Sequence, residues 1–400
     1  MNANRTLSHL ALVTAGIASA SAVVAEPNPY YLGASQGFTH ESNLFRAPKG
    51  SETSDTISTT SLLAGFNQPV SRQRFFGDAA VRYNRYNTND QLNNTGYGLN
   101  AGWDWATVNN LSGTLSYSVN ESLASFSDFS GATVTTTANR ERNQQFLARG
   151  QLGAQSRLSL ETTYIYRKRE YSAAAFVGNE FDQNTLSLGA LYRPSGLLTL
   201  GAAVRGSRGR YPFAVGAAPG PFTADKFDRN DFDLTAVWTP SGFSKVAARL
   251  SYSHEDHDLI VARNFSGVTG ALTWEYKPTG KLTFTTEFVR DTGAEAAFNG
   301  YVFTGANPTG NNNEVSTALR LRALYEVTAK INLEVDGRYV KSDLLPSGSD
   351  KTGYASIGAN YAPARNWRLG CSFAYEKRGG GSPVPYTADV AACSAQFILQ

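Results

Sequence analysis

The strongest constraint on this chain is an alternation of apolar and polar residues that recurs along its length, with connections of two unequal kinds. Long polar stretches, such as residues 122–136 and 209–226, join the alternating runs in pairs, whereas only a few residues separate one pair from the next. Several short connections carry an aromatic residue, one further residue and proline, as in Tyr192-Arg193-Pro194. Short turns at one end and long loops at the other are typical of a transmembrane β-barrel.

The alternation predicts eighteen strands, whose ends we assign to within a few residues. In the seventh, Leu158 and Leu160 lie on one face while Ser159 and Glu161 lie on the other, as a period of two requires. The short connections follow even-numbered strands, which places both termini at the periplasmic end. The predicted strands are 30–40, 56–68, 72–85, 92–105, 110–121, 137–152, 157–169, 182–193, 196–208, 227–239, 243–255, 263–277, 280–292, 314–327, 329–341, 351–362, 365–377 and 386–399.

We therefore predict an all-β fold: a single-domain transmembrane antiparallel β-barrel of about 18 strands, spanning residues 26–400, in the bacterial outer membrane. A soluble sandwich has no reason to keep the loop asymmetry, and lipid tolerates no open sheet edge. The mean hydropathy of −0.31 resembles that of a soluble protein, which a barrel explains because half of each strand faces a polar interior. The 20 tyrosines, 22 phenylalanines and five tryptophans suit interfacial belts.

Residues 1–25 are predicted to be a signal peptide. Arg5 supplies the positive start, an uncharged and largely apolar run follows, and Val23-Val24-Ala25 forms a small-residue cleavage site. An uncleaved membrane helix is the alternative, but the apolar run is short and interrupted by polar residues. The net charge of +3 would fall to about +2 without Arg5. Because the basic residues are also dispersed, we expect no nucleic-acid partner.

Charged residues of both signs are predicted on the inner wall, where we expect the function to lie. A lining of one sign would indicate a filter for charged solutes, whereas a mixed lining suits a neutral or weakly charged hydroxylated solute. The alternative is that these groups pair across strands and only hold the shape of the barrel. The lumen-lining candidates are Arg149, Glu161, Arg205, Arg249, Glu275, Glu287, Arg320, Arg322, Glu334, Asp336, Arg338 and Arg368.

Three of these candidates, Arg320, Arg322 and Arg338, share a predicted face on neighbouring strands. They could form a local basic ladder for an anionic sugar. Glu334 and Asp336 lie beside them, however, and cross-strand ion pairs are ordinary features of sheets. We favour the structural interpretation, in which the acids neutralise the arginines.

No set of residues in the sequence indicates catalysis. There is no Gly-x-Ser-x-Gly element and no phosphate-binding glycine loop. Residues 254–258, His-Glu-Asp-His-Asp, resemble a metal cluster. We place them in a solvated outer loop, which lacks the fixed geometry and supporting groups of a zinc site. We expect no enzyme activity, no metal site and no cofactor.

The two cysteines, Cys371 and Cys393, have the same parity on the last two predicted strands. Their midpoint, residue 382, falls inside the connecting loop, so a symmetric hairpin would place them directly opposite each other. Cα atoms in a non-hydrogen-bonded antiparallel pair lie about 4.5 Å apart, near the lower bound for a disulfide. The pair is therefore either a cross-strand disulfide or two free thiols.

Several segments in the first half carry a family resemblance: His-Glu-Ser-Asn-Leu-Phe-Arg at 40–46, Ser-Arg-Gln-Arg at 71–74, Tyr-Asn-Arg-Tyr at 83–86 and Gly-Trp-Asp-Trp at 102–105. With them the chain resembles the EpsL-type barrels encoded in exopolysaccharide biosynthesis operons. The resemblance implies a passive polar conduit in exopolysaccharide export. It also implies polysaccharide and a periplasmic polysaccharide-export protein as partners, but no catalytic or binding residues.

Two other functions stay open for a monomeric barrel surrounded by outer-membrane lipid. One is a substrate-specific or general uptake porin, and the other is a structural barrel with a blocked lumen. Residues 41–55 form either an ordinary loop or a segment that folds partly into the mouth. A loop folded inward to a constriction would favour the porin, and a lumen filled by side chains would favour the structural barrel.

Overall fold

The computed structural model describes residues 29–126, 134–215, 221–292, 315–343, 349–379 and 384–399; the predicted signal peptide lies outside them. Eighteen antiparallel strands form one sheet. They are β1 Tyr30–Glu41, β2 Asp55–Val70, β3 Gln73–Tyr86, β4 Asn94–Ala106, β5 Leu111–Leu123, β6 Arg140–Leu152, β7 Leu158–Tyr171, β8 Phe181–Ser195, β9 Leu198–Val215, β10 Thr223–Ser241, β11 Ser244–His257, β12 Phe265–Thr279, β13 Leu282–Thr292, β14 Val315–Thr328, β15 Ile331–Asp343, β16 Ser349–Tyr361, β17 Trp367–Gly379 and β18 Tyr386–Leu399.

The sheet closes on itself. Strand β1 pairs with β2 on one side and with β18 on the other, through registers that include Tyr30 opposite Phe66 and Leu32 opposite Leu399. Consecutive strands are neighbours around the whole ring, so the sheet that the structure describes has no unpaired edge, as a lipid environment demands. The predicted fold, a closed 18-stranded antiparallel barrel of the bacterial outer membrane, is confirmed. Among the described residues, no helix is long and apolar enough to cross a membrane.

The two faces of the strands differ as predicted. Leu158 and Leu160 are 60% and 55% exposed on the outer face, whereas Ser159 between them is buried. Exposed apolar side chains cover the outside, which is the face that meets lipid in a membrane barrel. Large aromatic residues are exposed beside the short turns, where rings favour the membrane interface. They include Phe75, Trp103, Tyr192, Trp238, Phe243, Trp274, Tyr325, Tyr361 and Trp367.

The aromatic-x-proline signature marks a recurring hairpin. In the β8–β9 turn, the register shifts between Tyr192 and Ser195, because Pro194 has no backbone N–H to offer the ladder. The Ser195 hydroxyl accepts a 3.3 Å hydrogen bond from the backbone N–H of Leu197, which closes the turn locally. The β10–β11 and β12–β13 hairpins repeat both features.

One predicted loop is mostly strand. Residues 209–226 were expected to connect β9 to β10, but β9 continues to Val215 and β10 begins at Thr223. This hairpin extension is polar on its outer face, where Arg208 is bonded to Asp228 and Arg210 to Asp182, whereas its inner face carries the buried Tyr211 and Phe227. The apolar outer face by which the other strands are identified is therefore absent there. Among the described residues, short 3₁₀ helices occupy three long connections, at Asp90–Leu92, Ala174–Asn179 and Val261–Arg263.

Candidate functional site

A cluster of buried charges lies on the inner face of strands β9 to β13. At its centre the Arg229 side chain is fully buried. Its guanidinium donates 2.9 Å hydrogen bonds to Asp231 on the same strand and to Asp291 on β13. It also donates to Glu255, at 3.4 Å, and to the Thr292 hydroxyl. A single arginine therefore ties together three strands.

Two further arginines complete this cluster, which we call the wall cluster: Arg205, Arg229, Arg249, Asp231, Asp233, Glu255 and Asp291. Arg205 donates to Asp233 at 3.0 Å, and Arg249 donates to Asp291 at 2.9 Å. Three cations thus share four carboxylates. Removing such groups from water costs free energy that only close pairing and hydrogen bonding can offset, and the dense network supplies both.

Beside the wall cluster lies a buried histidine that the sequence interpretation placed wrongly. His257 contacts Asp225 through Nδ1 at 2.8 Å and Glu255 through Nε2 at 3.0 Å. Its ring packs against Phe227 and Tyr211, with ring centroids 5.3 and 6.2 Å away. These contacts make it part of the inner wall near the extracellular end of β11.

The run 254–258 is therefore not a solvated loop, because β11 extends through His257. Strand alternation splits the run: His257 and Glu255 point inward, while His254 and Asp256 are exposed on the outer face and contact each other at 3.0 Å. Four potential ligands that adjoin in sequence thus lie on two sides of the sheet. In the part of the chain that the structure describes, no group of three such residues could hold a metal.

A second set of inner charges, the β14–β15 ladder, consists of Glu287, Arg320, Arg322, Glu334, Asp336 and Arg338. Asp336 is buried and accepts hydrogen bonds from Arg320 at 2.5 Å and from Arg338 at 2.7 Å. Arg322 pairs with Glu334 at 2.7 Å. The three arginines that could have formed a basic ladder are thus interleaved with acids.

The remaining lumen candidates are spread along the wall. Arg149 contacts Glu161 on the next strand, and Glu275 pairs with Lys277 at 2.7 Å near a short turn. Arg368 faces inward on β17 and has no ion pair among the described residues. The structure thus brings the candidates together as two networks and scattered pairs, and not as one site.

The connection between β1 and β2 folds into the mouth of the barrel. We call residues 42–54 the inturned loop. Asn43 is completely buried; its side chain donates to the carbonyl oxygens of Ala47 and Thr387 at 2.7 and 2.9 Å, and accepts from the Ala47 N–H at 2.8 Å. The side-chain amide therefore holds the loop both to itself and to β18.

A salt bridge and an apolar contact complete this anchoring. Arg46 contacts Glu376 on β17 at 3.1 Å and Glu41 at 2.5 Å. Burial lowers the pKa of Arg46, but the effect of the two carboxylates, which raises it, is larger. The net shift of the pKa is therefore upward, and the guanidinium stays charged. The neighbouring Leu44 and Phe45 are buried in a small apolar cluster that also contains Ile57, Tyr86 and Leu92.

The candidates chosen from sequence included Arg205, Arg249 and six members of the β14–β15 ladder, but omitted Arg229 and His257. Strand parity could have identified both. The inward-facing residues of β10 are Asp225, Phe227, Arg229, Asp231 and Asp233, and four of these five are charged. The inward fold of the inturned loop was harder to predict, because the neighbouring sequence does not reveal that Leu44 and Phe45 contact apolar residues of β2 and β3.

Cys371 and Cys393 lie directly opposite each other on β17 and β18. They form a disulfide with Cα atoms 4.1 Å apart. Both belong to the outer face, with Phe373 and Tyr375, which are exposed to lipid. The bond therefore lies outside the lumen.

Comparisons with known proteins identify similar folds. Three outer-membrane proteins of Pseudomonas aeruginosa align over nearly the whole barrel. OccK1 (OpdK) matches with 12% identity over 92% of this chain and 98% of its own, at a TM-score of 0.49. OccK5 (OpdH) matches with 12% identity over 93% and 98%, at 0.48, and OccK3 (OpdO) with 14% identity over 92% and 95%, at 0.48. No family model and no curated protein matches.

The prediction of an exopolysaccharide-export conduit was wrong. The similar structures named above are OccK-type proteins of the outer membrane. The mouth itself departs from an open polymer conduit, because the inturned loop and its apolar cluster occupy part of it. The expectation that polysaccharide and a periplasmic export protein are partners depended on that role alone. The EpsL-type resemblance is not matched by any family model.

Proposed function

We propose that this protein is a substrate-specific uptake porin, a passive and non-enzymatic channel formed by one chain. The observation that carries the proposal is the inturned loop, held to the inner wall by Asn43 and Arg46. Strands β2 and β11 are nine positions apart in the ring of eighteen. The loop and the wall cluster therefore approach the lumen from opposite sides and together would form a constriction.

The chemistry of the constriction suggests its solutes. The wall cluster and the β14–β15 ladder combine arginines and carboxylates held in fixed pairs. Such walls offer hydrogen-bond donors and acceptors without a strong field of one sign, and transit requires binding weak enough for release. We propose small polar solutes of low net charge, such as monosaccharides or zwitterions, as the substrate class.

The test is transport by the mature protein in defined bilayers. We expect stepwise conductance in potassium chloride, and swelling of proteoliposomes in a monosaccharide but not in a dextran of several kilodaltons. Swelling in dextran at the monosaccharide rate would contradict a constriction. Empty liposomes control for leakage, and resistance of the native barrel to unfolding in cold dodecyl sulfate controls for folding.

A second candidate is a structural barrel with a blocked lumen. It is favoured by the complete burial of inner-wall side chains such as Gln183, Asp225, Arg229 and Thr269, since an open aqueous wall would leave such groups wet. A correctly folded barrel that carries no current and gives no swelling would support this candidate over the porin.

A further inference from the structure

The outer face carries a group of cations near the extracellular ends of strands β13 to β17. We call it the cationic strip: Arg290, Lys341, Lys351 and Lys377. These residues share strand parity with lipid-facing side chains; Lys341 follows Tyr339 by two residues, and Lys377 follows Tyr375 by two. Both tyrosines are exposed. At about 3.4 Å per strand residue, the lysines lie about 7 Å beyond them, where lipid headgroups would be.

The register places like charges together in this strip. Lys341 and Lys351 are direct cross-strand partners on β15 and β16, and the partner of Lys341 on its other side, Thr317, is also the partner of Arg290. Like charges directly opposite each other destabilise a sheet. The arrangement therefore costs free energy unless an anion lies between the ammonium groups.

Few acids are available to balance these cations. Lys341 contacts Asp343 at 2.9 Å, and Asp389 lies on the same outer face of β18, diagonal to Lys377. Lys351 and Lys377 have no ion pair among the residues that the structure describes. Segments 344–348 and 380–383 contain no charged residue, whereas segment 293–314, between β13 and β14, contains Glu295 and Glu314.

Several cations on the other side of the barrel are arranged differently. Between β6 and β10 three outward cations at the same end contact carboxylates. Lys168 contacts Glu170 at 2.6 Å, Arg208 contacts Asp228 at 2.8 Å and Arg210 contacts Asp182 at 2.7 Å. Lys226 has no ion pair among the described residues and lies opposite Arg210, whereas in the cationic strip three of the four cations lack a carboxylate within ion-pair distance.

We propose that the cationic strip binds the phosphate groups of the glycolipid that forms the outer leaflet, lipopolysaccharide. Phosphate oxygens make strong charge-assisted bonds to ammonium and guanidinium groups, and clustered cations at a membrane surface attract anionic headgroups. The tyrosines below would contact the acyl region. This role depends on membrane location alone and is independent of whether the lumen conducts.

The experiment measures retention of lipid A by the full mature protein in detergent, using native mass spectrometry. Bisphosphorylated lipid A is compared with monophosphorylated and dephosphorylated lipid A. The wild-type protein should retain the bisphosphorylated form most strongly and the dephosphorylated form least, and millimolar inorganic phosphate should not compete. Equal retention of all three would overturn the proposal without any variant, and full competition by phosphate would reduce the strip to an ion site.

A variant arm tests the residues themselves. At roughly fivefold per lysine removed, the triple variant Lys341→Gln, Lys351→Gln, Lys377→Gln should bind bisphosphorylated lipid A about 100-fold more weakly. Lys168→Gln is the matched control, since that lysine lies at the same end but already has Glu170 as a partner, and it should bind as the wild type does. Unchanged binding by the triple variant would contradict the assignment. All four substitutions are on the exposed outer face, and dodecyl sulfate resistance checks that each barrel is folded.

Discussion

Arg229 on β10 and Asp291 on β13 are joined by a 2.9 Å hydrogen bond between fully buried side chains. Two strands lie between them in the ring, so the guanidinium reaches across the inner face of the sheet to its partner. An isolated buried ion pair is weak support for stability, but removing one member leaves an uncompensated charge.

We expect Arg229→Met to destabilise the barrel by about 3–5 kcal/mol, because Asp231, Asp291 and Glu255 would lose their shared cation. Urea unfolding in detergent, followed by tryptophan fluorescence, measures the change. The matched control is Arg208→Met on the same hairpin, whose pair with Asp228 is 87% and 64% exposed and should matter little. Equal effects of the two substitutions would contradict the importance of the wall cluster.

A second prediction concerns ion selectivity and follows from the proposed channel. Asp336 neutralises both Arg320 and Arg338, so Asp336→Asn should shift the reversal potential in a salt gradient toward anion selectivity. Glu275→Gln removes a carboxylate closer to the short-turn end, which pairs with Lys277 and not with an arginine of the ladder, and should shift the potential less. A shift toward cations, or none, would show that the ladder does not face the conduction path.

The anchor of the inturned loop gives a third prediction. Arg46→Ala removes the contacts to Glu41 and Glu376 and should release the loop, raising single-channel conductance. Asn43→Ala should act in the same direction, because it removes three hydrogen bonds. His40→Ala changes an exposed outer-face residue at the end of β1 and serves as the control. Lower conductance in the anchor variants would contradict a constricting loop.

The cysteines give a fourth prediction. Mass spectrometry of the denatured protein should find no free thiol before reduction and two after it. A disulfide that closes 22 residues is expected to contribute about 3 kcal/mol through the entropy of the unfolded chain. Urea unfolding with and without reductant should therefore differ, whereas the Cys371→Ser, Cys393→Ser variant should not respond to reductant. Two alkylatable thiols in the unreduced protein would show that the thiols are free.

A fifth prediction is a pH dependence at Glu180, in the connection before β8. Burial raises its pKa, against a backbone hydrogen bond from Tyr171 that lowers it. A pKa that is higher in the folded than in the unfolded protein means that stability is lost as pH rises through the folded value. Glu180→Gln should thus raise the unfolding temperature at pH 8 and leave it unchanged near pH 3.5. A larger gain at low pH would contradict the sign.

Strand alternation made most of the barrel predictable. The strand number, the positions of the short turns and the outward aromatic residues follow from a period of two and from local turn chemistry, as the hairpins at Tyr192 and Trp238 show. The extended β9–β10 hairpin was missed because its outer face is polar. The placement of His257 was wrong for the same reason: where a strand extends beyond the lipid, its outward side chains are polar, and the sequence pattern no longer distinguishes it from a loop.

The sequence by itself determined that this chain is a closed barrel in an outer membrane, because apolar side chains for lipid and polar side chains for the lumen alternate along each strand. Only the tertiary structure decided what the lumen contains. Arg229 and Asp291 are 62 residues apart in the chain, and Asn43 bonds to Thr387 across 344 residues. Such contacts depend on strand register and on closure of the ring, and neither leaves a local pattern in the residues that make them.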